Sequence, residues 1–130
     1  MSITKIQKKL NDSIKVQEEL TQSLIGITEM IRGSFKEIYT KCGNKNCKCF
    51  TGEQHLCLRI SWTENAKSCT KSISREQAAW AKENTERYKK FRKNRKKLVD
   101  IELKIKLILD ELESEVVNKT WVKNKNIDPP

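Results

Sequence analysis

Apolar residues recur along two long stretches of this chain at alternating intervals of three and four, and between the stretches that rhythm disappears. The first stretch carries Ile3, Ile6, Leu10, Leu20, Leu24, Ile27 and Ile31, with Ser13 and Gln17 in the two polar places of the stripe. Such spacing puts one apolar seam on one face of a helix, so it predicts an amphipathic helix of coiled-coil type over 3–31. Ser2 is placed to cap its start, and Gly33 stands where a C′ glycine ends a helix. The second stretch opens on Ser74-Arg75-Glu76-Gln77, the signature of a capping box, and runs without Gly or Pro to Asn118. Its stripe is Phe91, Leu98, Ile101, Ile105, Ile108 and Leu112, which predicts a helix over 75–118. At 1.5 Å per residue the two helices would run roughly 43 Å and 65 Å.

Between them Phe35, Tyr39, Leu58, Ile60, Trp62 and Ile73 lie among Gly, Asn, Ser and Thr, a pattern of short strands. Leu56–Trp62 and Lys67–Ile73, joined by Thr63-Glu64-Asn65-Ala66, read as a β-hairpin, and Ser34–Tyr39 as a third strand. Charge orients the helices. An antiparallel arrangement sets Lys5, Lys8 and Lys9 beside Asp110, Glu111, Glu113 and Glu115, and Glu18 and Glu19 beside the basic stretch ending at Lys97. The expected fold is therefore mostly α with a small β element: an antiparallel two-helix coiled-coil hairpin tipped by a two- to three-stranded antiparallel sheet. Residues 1–119 form a single domain in this reading, with a metal loop and sheet over 34–73. Residues 120–130, with Lys-Asn repeats and a terminal Pro129-Pro130, read as a disordered tail in which Trp121 is the exception, either a packing anchor or partner contact or an idle residue.

Composition narrows the class. A chain of 130 residues has room for one modest core, and 36% hydrophobic against 34% charged residues suits solvent-washed helices better than a thick globule. Met1–Leu10 lacks the apolar run of a secretory signal, and nothing approaches a membrane span, which points to a soluble cytoplasmic protein with no membrane role. Of five cysteines, three fall between positions 42 and 49, poor geometry for a disulfide framework and good geometry for a metal.

The cysteines read Cys42-x4-Cys47-x-Cys49-x5-His55. Thiolate and imidazole are the ligands Zn²⁺ prefers in closed tetrahedral sites, and Gly43, Asn44, Asn46 and Gly52 suit the tight turns that wrap an ion. Three exposed thiols without an ion would be an oxidation liability. Cys57 is the alternative fourth ligand; otherwise Cys57 and Cys69 lie in the expected strands and behave as small hydrophobes. Four protein ligands close the coordination sphere, so the ion would be structural: a clasp whose binding supplies folding free energy to a segment with little core.

Net charge is +10, and its placement matters more than its sum. Arg87, Lys89, Lys90, Arg92, Lys93, Arg95, Lys96 and Lys97 follow one another without an acidic residue, and their repulsion on one helix would be relieved by a polyanion. Lys41, Lys45 and Lys48 add a second basic patch in the metal loop. Trp80, Tyr88 and Phe91 offer rings for base stacking, unless Tyr88 and Phe91 serve the seam. A basic helix ahead of a seam has the order of a basic leucine zipper, but Leu98 to Leu112 is too short to dimerise alone.

Gly33-Ser34-Phe35, Tyr39, Lys41-Cys42-Gly43, Asn46-Cys47-Lys48-Cys49, Gly52 and His55, taken together, resemble a family of small prokaryotic proteins known only as a domain of unknown function. That family's pattern continues with a short sheet and a helix bearing Tyr-x2-Phe, which Tyr88-Lys89-Lys90-Phe91 matches, so the resemblance spans Arg32 to Phe91. After His55 the chain has Leu56-Cys57-Leu58 where the family has Gly-Pro-Tyr. The resemblance implies a fold and an association with mobile elements or phage, and no activity.

No acid–base pair with His55, nucleophile motif, phosphate loop or two-metal carboxylate cluster is visible, so no enzyme is expected. The function expected is that of a zinc-stabilised accessory or regulatory protein binding DNA or RNA, with homodimerisation through its helices. The alternative is a non-catalytic coiled-coil scaffold that recruits a protein partner. A thiol redox sensor using Cys47 and Cys49 ranks third.

Overall fold

The computed structural model of the protein describes residues 2–40, 52, 55–124 and 127–128. Its elements are α1 (Ile3–Ile25), β1 (Ser34–Thr40), β2 (His55–Glu64), β3 (Lys67–Ile73), a 3₁₀ turn (Arg75–Gln77) and α2 (Ala78–Lys123). The protein is thus mostly helical with one three-stranded antiparallel sheet of order β1-β2-β3. Two compact units emerge, one of residues 1–26 with 93–130 and one of residues 27–92; α2 runs through both.

In the first unit, α1 begins where Ser2 Oγ accepts the Lys5 N–H, filling one of the orphan donors of the first turn. Its inward series is Ile3, Ile6, Leu10, Ser13, Gln17, Leu20 and Leu24, all buried or half-buried, including both polar places of the stripe. Ser13 is tolerated there because its hydroxyl donates to the Lys9 carbonyl at 3.0 Å. On α2 the matching series is Leu98, Ile101, Ile105, Ile108 and Leu112. Asn94 Nδ2 reaches Ser23 Oγ at 3.3 Å, while Ser2 and Ile3 share a groove with Glu115, Asn118 and Val122. The start of α1 therefore lies beside the end of α2, and its end beside Asn94–Ile101. Among the described residues no ion pair within 4 Å joins the two helices.

The first helix ends at Ile25, six residues short of the expected Ile31. Periodicity extends to Ile27 and Ile31, but Gly26 closes the helix, its N–H bonded back to Gln22. Ile31 instead donates its backbone N–H to the Asn84 carbonyl. Gly33 is not a helix cap: it enters β1 at φ 137°, where an added Cβ would lie 2.7 Å from the Ser61 carbonyl oxygen. Only glycine combines that dihedral with so close an approach.

In the second unit, β2 is the central strand, and its alternation assigns the two faces. Rows Phe35–Ile60–Lys71 and Glu37–Leu58–Ile73 share one face, since directly opposite residues project to the same side. Leu58, Ile60, Ala81, Asn84 and Thr85 are its buried residues. The β2–β3 hairpin turns on Asn65 (φ 50°) and Ala66 (φ 64°), a two-residue loop with both centres left-handed, which matches the twist of the strands. Both strands agree with the sequence pattern; the observed β2 continues to Glu64 because the turn needs only two residues. α2 is preceded by the 3₁₀ turn, where the Ser74 N–H meets Gln77 Oε1 at 3.5 Å. It then continues to Lys123, past the expected end at Asn118 and through Trp121, which is half-buried. The helix thus takes in residues 120–123 of the expected tail: no Gly or Pro intervenes, and the Thr120 hydroxyl bonds the Val116 carbonyl.

Candidate metal centre and nucleic-acid interface

The strand register fixes where the metal segment starts and returns. Thr40, last in β1, is paired with His55, first in β2, so the connection 41–54 leaves and re-enters the sheet at one pair. Cys42, Cys47, Cys49, Lys41, Lys45 and Lys48 lie outside the described residues. His55 and Cys57, the two candidates for fourth ligand, are two apart on β2 and so project to the same face. Cys57 Sγ lies 3.2 Å from Thr40 Oγ1, and His55 is the exposed member of the two candidates. Among the described residues no group of three or more His, Cys, Asp or Glu is placed to hold an ion. Three of the five candidate ligands, Cys42, Cys47 and Cys49, are not among them. Cys69, on β3, is half-buried and stands opposite Trp62 across the strands, its thiol donating to the Lys67 carbonyl at 3.8 Å.

The sheet face of His55 and Cys57 also carries two cations that periodicity and clustering did not single out. Lys36 and Arg59 are directly opposite across β1 and β2, and like charges in that position repel. Their signal is visible only in the register: each is isolated in the sequence.

Along α2 the basic run divides. Arg87 is half-buried and committed, bonding Glu83, lying 3.8 Å from Glu29 and donating to Asn84 Oδ1 at 3.0 Å. Lys89, Lys90, Arg92, Lys93, Arg95, Lys96 and Lys97 are exposed and make no ion pair with any of the described residues. The rings divide as well. Tyr88 and Phe91 are half-buried, while Trp80 is 48% exposed and anchored by its Nε1 donating to Glu29 Oε1 at 2.8 Å. Trp80 and Trp62 border an open groove of about 460 Å³ floored by Ile31, Ile60 and Ile73 and rimmed by Arg32 and Lys71.

Among the described residues no helix is long and apolar enough to cross a membrane. Fold and charge define a small basic, mostly helical protein with one three-stranded antiparallel sheet. Residues 4–83 match the model of DUF6788, a domain of unknown function, and the chain belongs to that family. The match begins within α1, earlier than the resemblance at the cysteines, and ends at residue 83, before the basic run of α2. No curated protein and no solved structure matches the chain.

Proposed function

We propose that this protein is a zinc-stabilised, non-catalytic nucleic-acid-binding accessory or regulatory protein, in which an antiparallel coiled-coil hairpin carries a metal-clasped sheet. The observation that carries this reading is the set of seven exposed cations from Lys89 to Lys97, on one continuous helix, that make no ion pair among the described residues. Seven like charges within three turns repel one another, and a phosphate backbone is the ligand that removes the repulsion while releasing counterions. Lys36 and Arg59 support it from the sheet, on the face that also bears His55. Trp80, exposed near the start of the same helix, supplies a ring for stacking.

Zinc belongs to the proposal through Cys42, Cys47, Cys49 and either His55 or Cys57. The donor set suits Zn²⁺, and the Thr40–His55 pair supports it by returning the segment to the strand that bears both fourth-ligand candidates. The metal would hold Lys41, Lys45 and Lys48 in one shape. Mobile-element or phage context enters only through the family resemblance.

The test is fluorescence anisotropy with a labelled generic oligonucleotide, single- and double-stranded. Arg92→Ala/Lys93→Ala/Arg95→Ala/Lys96→Ala is expected to weaken binding at least tenfold without loss of helix signal, since each cation removed from a phosphate lowers affinity at low salt. Equal affinity of the variant and the native chain would contradict the reading. The scaffold alternative is favoured by a different observation, the exposed apolar residues Val99, Leu103 and Leu107 of α2.

A further inference from the structure

The outward face of α2 between Lys93 and Glu113 is written for a second copy of itself. Val99, Leu103 and Leu107 follow one another in steps of four and are 58%, 56% and 59% exposed. Ile101 and Ile105, each two residues on from Val99 and Leu103, belong to the half-buried seam facing α1. Two residues along an α-helix is a rotation of about 200°, so the exposed stripe lies opposite that seam. A helix with apolar stripes on two opposite faces has a second packing surface to satisfy.

The charges flanking the exposed stripe say what covers it. One edge reads Lys93, Asp100, Lys104, Glu111, and the other Arg95, Glu102, Lys106, Glu113; both alternate plus, minus, plus, minus at the same spacings of seven, four and seven. None of these eight residues makes an ion pair with any of the described residues. Reversing such an edge against itself sets every charge opposite its complement: Lys93 meets Glu111 and Asp100 meets Lys104 of the second copy, while Arg95 meets Glu113 and Glu102 meets Lys106 on the other edge. A parallel copy in register would set like on like along both edges. The antiparallel two-fold falls at Leu103, which meets its own counterpart while Val99 meets Leu107, and Lys96 comes level with Asp110.

We propose that this face of α2 is the interface of an antiparallel homodimer, isologous about Leu103. The interface is self-complementary, as a two-fold requires, and the charges fix its direction and register more than its strength. It does not rest on the nucleic-acid reading, although Lys93, Arg95 and Lys96 serve both, so the test contains no nucleic acid.

Sedimentation equilibrium of the full chain, with its metal, reads the stoichiometry. The native chain is expected to be a dimer that weakens as salt rises. Leu103→Asp, which sets two carboxylates together on the axis, is expected to give a monomer with unchanged helix content by circular dichroism. Glu111→Lys/Glu113→Lys should weaken the dimer at least tenfold, and adding Lys93→Glu/Arg95→Glu to the same chain should restore it, because the edges are then complementary with signs exchanged. A native chain that stays monomeric up to about 100 μM, in the range of weak self-association, overturns the proposal. So does a dimer indifferent to Leu103→Asp, or a fourfold charge exchange that fails to restore association.

Discussion

Substituting Gly33 by alanine tests whether the sheet is closed as described. Gly33 sits at φ 137°, and the Cβ of alanine would stand 2.7 Å from the Ser61 carbonyl oxygen and 3.0 Å from Ile60 Cγ2. Holding a non-glycine residue in that backbone region costs about 1–3 kcal/mol. The nearer neighbour is backbone of the central strand, which cannot swing aside, and overpacking of this kind adds roughly another 1–3 kcal/mol. Gly33→Ala should therefore lose about 2–6 kcal/mol, a large part of the 5–15 kcal/mol that domains of this size possess. Gly26→Ala is the control. Gly26 has φ −71°, and its added Cβ would see only the Gln22 and Ser23 carbonyl oxygens at 3.4 and 3.8 Å. It should be neutral, or stabilising by up to about 1 kcal/mol through the unfolded chain. Urea unfolding followed by circular dichroism and tryptophan fluorescence reads both. A Gly33→Ala loss below about 1 kcal/mol, or one matched by Gly26→Ala, would refute the close approach of Gly33 to β2.

Ala66→Gly should raise stability by about 0.5–1 kcal/mol, because Ala66 holds φ 64° in the hairpin turn and glycine carries no penalty there; a loss measured by urea unfolding would contradict the two-residue turn. Asn84→Ala should cost about 1–3 kcal/mol in the same assay, since Asn84 is 1% exposed and its side chain bonds both the Trp80 carbonyl and Arg87. Protein purified in reducing buffer should contain about one zinc per chain by elemental analysis, and a strong chelator should lower the melting temperature; metal-free protein with an unchanged melting temperature would remove the clasp.

Much of the fold was legible because period and burial agree wherever a helix has one apolar seam. Ser13 and Gln17, polar members of the stripe, face inward as their positions required, and the β2–β3 hairpin follows from its alternation. The end of α1 was not legible: Ile27 and Ile31 continue its period, yet Ile31 bonds Asn84, a tertiary interaction that no local pattern encodes. Nor does periodicity reveal that Asn84 and Thr85, polar by composition, are buried on α2. Their hydrogen bonds to the Trp80 and Lys82 carbonyls satisfy them within the helix itself. Of the candidate site, Arg87 belongs to the charge cluster by sequence and to Glu29 and Glu83 by structure. Lys36 and Arg59 become a pair only through strand register.

The salt dependence of oligonucleotide binding tests the central claim most directly. If the exposed cations of α2 engage at least four phosphates, log K should fall against log salt with a slope of about −3.6 or steeper on duplex DNA, or about −2.8 on single strands. A slope near zero, or no binding at the lowest salt, would contradict nucleic acid as the partner.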